Sequence, residues 1–137
     1  MTDVECALRY LKEFLNRRDA AALAEITAPE VALHGPMSAD PSHGREAVIA
    51  GMQRASSAFP DLHFSIEEWA VSEEPGTVMV RWTMTGTHTG AAFRGAPATG
   101  RRFTVPGVHV FHLEQGRIVR IWDIFSTGLL LDQLGLR

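Results

Sequence analysis

Apolar positions along the first part of the chain recur every three or four residues, and beyond about residue 62 they alternate. The first period belongs to amphipathic helices, the second to strands with one buried face. Val4, Leu8, Leu11 and Leu15, widened by Ala7 and Phe14, predict a helix over about 3–17, opened by Thr2 and Glu5 at capping-box spacing. Asp19 is placed to cap a short second helix over about 20–26, which stops before Pro29. "EVALHG" reads as a short strand ending at Gly35-Pro36, and Met37 to Gly44 as a loop. Val48, Ile49 and Met52 mark the inward side of a third helix over about 45–58, broken by "FPD" at 59–61. The alternating part predicts strands near 62–72, 77–88, 101–114 and 117–126. Turns fall at Pro75-Gly76 and Gln115-Gly116, and "GAAFRGAPATG" makes a longer excursion between the second and third of these strands. Leu130, Leu131 and Leu134 predict a last helix from about Thr127. Helices first and long strands after imply an α+β domain: a curved antiparallel sheet wrapped around the N-terminal helices, forming a cone with a central pocket.

The alternation also sorts the faces. Val78, Val80, Trp82, Met84 and His88 share one side of their strand; Phe103, Val105, Gly107, His109, Phe111 and Leu113 share one side of the next. Val119, Ile121, Asp123 and Phe125 form the third set. Two of these apolar rows each hold one ionisable group, and pairing symmetric about Gly116 puts His109 opposite Asp123. The opposite faces are apolar too, with Val108 and Val110 on one strand and Ile118, Trp122 and Ile124 on the next. A sheet apolar on both sides needs two covers, so the outer face is expected to pack on a second copy of the chain, making a homodimer through Val108, Val110 and Trp122.

Composition narrows the function classes. The 137 residues suit one domain spanning 1–137, and a net charge of −3 offers no electrostatic case for nucleic acid or an acidic membrane. No apolar run approaches the roughly 20 residues that span a bilayer. "MTDVECALRY" has no basic region ahead of an apolar one, so no signal peptide is expected and the location expected is cytoplasmic. Cys6 is the sole cysteine, so neither a disulfide nor a thiolate metal site is expected.

Asp123 is the leading catalytic candidate. A carboxylate in an apolar row has its pKa raised by desolvation, toward the range where a general base works near neutrality. His109 is the second catalytic candidate, to hold or relay the proton. His34 and His88 are candidates for polar groups of the pocket, and Trp82, Met84, Phe93, Phe103 and Phe125 for a lining suited to a flat apolar ligand. Each of these has an inert alternative: core packing, a satisfied core histidine, a turn. No HxH or HExxH pair anchors a metal, and no GxGxxG, P-loop or GxSxG occurs, so no metal and no cofactor are expected.

"FPDLHF", "VRWTMTGTHTG", "GAPATGRRFTVPGVHVFHLEQGRIVRIWD" and "LLLDQLG" together resemble the SnoaL-like polyketide cyclase family, within the nuclear-transport-factor-2-like superfamily. The resemblance covers nearly the whole chain. It implies a cone-shaped domain, commonly dimeric through sheet faces, and a metal-free, cofactor-free intramolecular aldol condensation that closes a polyketide ring. It implies an aspartate base at the position of Asp123 and places His109 in the same site, with His34 and His88 also matching family positions. Gly107 and Ile121 stand where such cyclases carry further polar groups, which implies a drier pocket, and Ser126 replaces a frequent second acid after "WD". The function expected is therefore acid/base catalysis on an apolar, polyketide-like small molecule. An isomerase, an epoxide-opening enzyme or a non-catalytic binding module are the other uses of such a pocket.

Overall fold

A computed structural model describes residues 1–137. The first helix is α1, Asp3–Arg9, capped by the Thr2 hydroxyl, which accepts from Glu5 N. It continues directly as a π-helix over Tyr10–Asn16, so the predicted 3–17 helix is one rod with a widened second half. Asn16 ends it by clamping the edge strand: its Nδ2 donates to Phe64 O at 2.9 Å and its Oδ1 accepts from Phe64 N at 2.8 Å. Then come α2 (Ala20–Ile26, capped by Asp19), β1 (Thr27–His34), β2 (Ser42–His43) and α3 (Arg45–Ala58). The long strands are β3 (His63–Val71), β4 (Thr77–Thr87), β5 (Arg102–Glu114) and β6 (Arg117–Phe125). Helix α4, Thr127–Leu134, is capped by the Ser126 hydroxyl and ends on Gly135 at φ 73°. Ser126 thus has a structural job where the resemblance would have placed an acid.

The sheet runs β2-β1-β6-β5-β4-β3. It is mixed rather than wholly antiparallel, because β1 lies parallel to β6. β1 is also longer than "EVALHG", and the stretch expected to be loop contributes the two-residue β2. Both differences come from partners distant in sequence or not marked in it: β1 pairs with the last strand, some 90 residues later, on one side and with β2 on the other. The inner face packs on the helices around a single core that includes Tyr10, Phe14, Leu23, Trp82, Phe111 and Leu134. No helix is long and apolar enough to cross a membrane.

The β5–β6 hairpin decides which side chains enter the cone. Gln115 and Gly116 both have positive φ, 51° and 75°, the geometry of a tight two-residue turn. That turn pairs Glu114 with Arg117 and Leu113 with Ile118. Continued without interruption, it would set His109 opposite Trp122. The register instead shifts by one residue, so His112 pairs with Arg120 and Val119 is the extra, bulged residue. Beyond the bulge His109 pairs with Asp123. A one-residue slip exchanges the two faces of a strand. Val119 is therefore the reason that Asp123, and not Trp122, faces inward. The same bulge turns Ile118 into the core, where it is fully buried, contrary to its expected place on the outer face.

On that outer face Trp122 is half-covered by its own chain. His34 stacks on it at 5.1 Å and 9°, His112 meets it edge-on at 4.6 Å, and the Arg120 guanidinium lies 5.7 Å from its centroid. Val108 and Val110 are part-exposed beside it, and Ile124 is 52% exposed.

Candidate active site

The cone encloses a cavity of about 800 Å³, lined mainly by apolar side chains from the helices and the sheet. Phe14, Phe59, Phe64, Met84, Phe93 and Phe125 are among its walls, and Tyr10, His109 and Asp123 are polar groups on them. Arg54, Arg94 and Asp40 also line it, each exposed to solvent.

Asp123 comes from β6 and His109 from its β5 neighbour, paired across the ladder. The Asp123 side chain is 25% exposed, yet its Oδ1 is buried and has no hydrogen-bond partner. The accessible part opens into the cavity, because Asp123 is one of its lining residues. An ionised carboxylate left without donors in an apolar wall is costly, so burial pushes the Asp123 carboxyl up to about 7. His109 Nε2 stands 3.9 Å from that oxygen, too far for a hydrogen bond. His109 is 2% exposed, and burial pushes its imidazole down to about 3. At neutral pH the two groups are therefore not an ion pair. The histidine is neutral and the carboxyl is divided between its two forms.

Trp82 occupies a different place from the one expected. It is fully buried and does not line the cavity; its indole N–H donates to His109 Nδ1 at 2.6 Å. Gly107 makes room for it. A Cβ on Gly107 would come within 2.3 Å of the Trp82 ring and 2.7 Å of Ile124 O. The position where the resemblance implied a further polar group is thus the slot for the indole edge. Gly107→Ala is expected to cost about 2 kcal/mol, as overpacking of a filled interior does, read as a lower urea midpoint at unchanged slope.

The other predicted site residues divide. Met84 and Phe125 line the cavity, as does Phe93. Phe103 lies in the core, edge-on to Phe59 at 4.9 Å, and does not reach the cavity. His34 is not a pocket residue. Leu33 faces the cavity, so strand alternation turns His34 outward, onto Trp122 and Arg120, whose Nη1 donates to His34 Nε2 at 2.8 Å. Burial and the neighbouring guanidinium hold the His34 imidazole below its ordinary value. His88 is fully buried and also stands outside the cavity. Its Nε2 is 3.0 Å from Ala91 O and its Nδ1 accepts from Thr99 N at 3.2 Å, so both nitrogens fasten the excursion that follows β4. That excursion is docked on α3 by Gly90 N to Ala58 O and Ala91 N to Ser57 O, which presents Phe93 to the cavity.

Tyr10 is the polar residue that pattern reading passes over. On the sequence it is one more apolar-stripe residue; the π-helix places it at the cavity wall, edge-on to His109 at 5.6 Å. Burial and the Asp123 carboxylate keep its phenol protonated well above the ordinary range.

No three potential ligands cluster as a metal site would require. The arrangement is one perturbed carboxyl, one neutral imidazole and one phenol around an apolar hollow, suited to moving a proton on an uncharged organic molecule.

Known structures share this architecture. A protein described as a SnoaL-like polyketide cyclase from Jannaschia sp. CCS1 superposes with a TM-score of 0.89, covering 98% of this chain and 92% of that one at 23% identity. IdmH from Streptomyces antibioticus, described as a polyketide cyclase, is 26% identical over 98% of this chain and 99% of its own, with a TM-score of 0.83. TsrD from Streptomyces laurentii is 28% identical over 98% and 96%, with a TM-score of 0.82. No curated protein matches the sequence. The fold is the nuclear-transport-factor-2-like cone. The family model for SnoaL-like polyketide cyclases matches residues 5–134, and the chain belongs to that family.

Proposed function

We propose that the protein is a cofactor-independent acid/base enzyme that closes a ring in an apolar, polyketide-like molecule by an intramolecular aldol-type step. The observation that carries this reading is the Asp123 carboxyl, unpaired at Oδ1, pushed up to about 7 by burial and facing an apolar cavity. Asp123 removes a proton from carbon next to a carbonyl. The C–H electron pair becomes the enolate double bond and the carbonyl oxygen takes the charge. The enolate carbon then attacks a second carbonyl of the same folded molecule, and the new alkoxide takes the proton back from Asp123. Nothing is consumed, so no cofactor is called for. The enzyme's share is the base, donors for the oxygen, and a cavity that holds the two carbons together.

IdmH, which this chain resembles over its whole length, is described as a polyketide cyclase, and that supports the substrate class. The family also supports the coarser reading of a cyclase or isomerase acting on a small molecule. An isomerase or epoxide-opening enzyme would use the same base. A pure binding module would use the same lining without turnover.

The test is the pH dependence of kcat on a cyclisable polyketone. The rate is expected to fall as pH drops through a single ionisation near 7, because only the carboxylate form of Asp123 accepts a proton. A profile flat from about pH 4 to 8 would overturn the base assignment, and ligand-induced thermal stabilisation with no turnover would favour binding alone. The same reading has Val108, Val110, Trp122 and the exposed Ile124 packing on a second copy of the chain. Sedimentation is expected to give twice the chain mass, and a monomer at micromolar concentration would rule this out.

A further inference from the structure

We propose that Tyr10 and His109 together receive the oxygen of the substrate's enolisable carbonyl, and that Trp82 is the positioning residue that keeps His109 a hydrogen-bond donor. This rests on the acid/base reading for the identity of the base and goes beyond it in assigning the other half of the site.

An indole nitrogen donates and never accepts. The 2.6 Å contact from Trp82 therefore requires a lone pair on His109 Nδ1. The buried ring is neutral, so its one proton sits on Nε2, the nitrogen turned toward Asp123. His109 then has no free lone pair: Nδ1 is occupied by Trp82 and Nε2 carries hydrogen. It cannot take a proton from substrate, and it is not the relay that its position beside Asp123 suggests. What it offers the cavity is a neutral N–H.

Tyr10 offers a second donor. It is 2% exposed, lines the cavity, and no hydrogen bond contributes to its protonation behaviour. Its phenol feels the Asp123 carboxylate, which places it within the same electrostatic neighbourhood. Two uncommitted donors thus line the same cavity as one uncommitted acceptor, the unpaired Asp123 oxygen. A carbonyl with an acidic α-hydrogen has the complementary pattern: oxygen toward the donors, C–H toward the carboxylate. As Asp123 takes the proton, the negative charge moves onto an oxygen already facing N–H and O–H, in a dry setting where such donors act strongly. The substrate class that follows is an enolisable ketone or ester set in an apolar skeleton. A simple alkene has no oxygen for these donors to receive.

The first experiment needs no substrate. Ring ¹⁵N shifts of His109 in the wild-type protein are expected to show a neutral imidazole protonated on Nε2 from about pH 5 to 8. Trp82→Phe is expected to lose that single signature and show exchange between tautomers. A wild-type proton on Nδ1, or an imidazolium at pH 6, would overturn the role given to Trp82 whether or not the variant folds. The second experiment uses naphthols of graded acidity as enolate mimics, with naphthalene as control, in the Asp123→Asn variant, which resembles the base after it has taken its proton. The naphtholate is expected to bind at least about tenfold tighter than naphthalene, and adding Tyr10→Phe to erase most of that preference while naphthalene binding stays the same. No preference for the oxyanion, or one untouched by Tyr10→Phe, would overturn the donor pair. These readouts stand apart from turnover, so they fail or succeed separately from the assignment of Asp123 as base.

Discussion

Asp123→Asn is expected to lower kcat by about 10²–10⁴-fold, the range over which a positioned general base contributes. KM should change little, because the amide keeps the shape of the carboxyl and the apolar walls are untouched. No neighbour can take over. His109 has no free lone pair, since Nδ1 accepts from Trp82 and Nε2 carries the proton, and Tyr10 is held in its acid form. The other carboxylate on the cavity lining, Asp40, is solvent-exposed in the loop before β2. Steady-state kinetics on any substrate the wild-type protein converts will decide the matter. A variant retaining a third or more of wild-type kcat would mean that Asp123 is not the base.

The same substitution should make the folded protein more stable at pH 8. Asp123 has an ordinary value of 3.8 and is pushed up to about 7 on folding, so between those values the folded form holds a proton that the unfolded chain has lost. Stability therefore declines as pH rises through this window, by up to about 4 kcal/mol for three units at 1.4 kcal/mol each. The quarter of the side chain that opens to the cavity admits some solvation, which lowers the expected effect to about 2 kcal/mol. His109 works in the opposite sense. Its imidazole falls from 6.5 to about 3 on folding, so its contribution is complete above about 6.5 and is lost as pH falls. In the wild-type protein the two slopes oppose one another between about pH 4 and 6.5. Removing the carboxyl leaves the histidine slope alone. Asp123→Asn is thus expected to gain about 2 kcal/mol at pH 8 and to lose stability more steeply than wild type on acidification. Urea midpoints at pH 5 and 8 measure both effects, and a variant no more stable than wild type at pH 8 would show that burial does not strain this carboxyl. Together the two results would show a site that trades stability for activity.

Some of this site is legible in the chain and some is not, for reasons that differ residue by residue. Asp123 and His109 stand out because an ionisable group in an apolar row breaks a local pattern, whereas their pairing depends on the register shift at Val119. Tyr10 does not stand out, since an aromatic in a helical stripe breaks nothing. His34 could have been turned outward from the alternation of Val31 and Leu33 in its own strand, and its position at a strand end hides that. Trp82 reads as lining because its strand face is right; only Gly107, on the neighbouring strand, makes the slot in which its ring packs, tilted at 47° to His109 and hydrogen-bonded to it, rather than open to the cavity.

Periods of 3.6 and 2, capping residues and turn residues act over a few positions, so the sequence by itself determined the helices, the four long strands, the α+β class and a carboxylate set in an apolar row. Facts that join distant segments were decided by the tertiary structure alone. The parallel partnership of β1 with β6 is one, the tautomer that Trp82 imposes on His109 another. The register shift at Val119 belongs with them. A tight two-residue turn would by its own geometry have faced Trp122 into the cone. It is the bulged residue, unpaired in the ladder between Leu113–Ile118 and His112–Arg120, that puts Asp123 there instead.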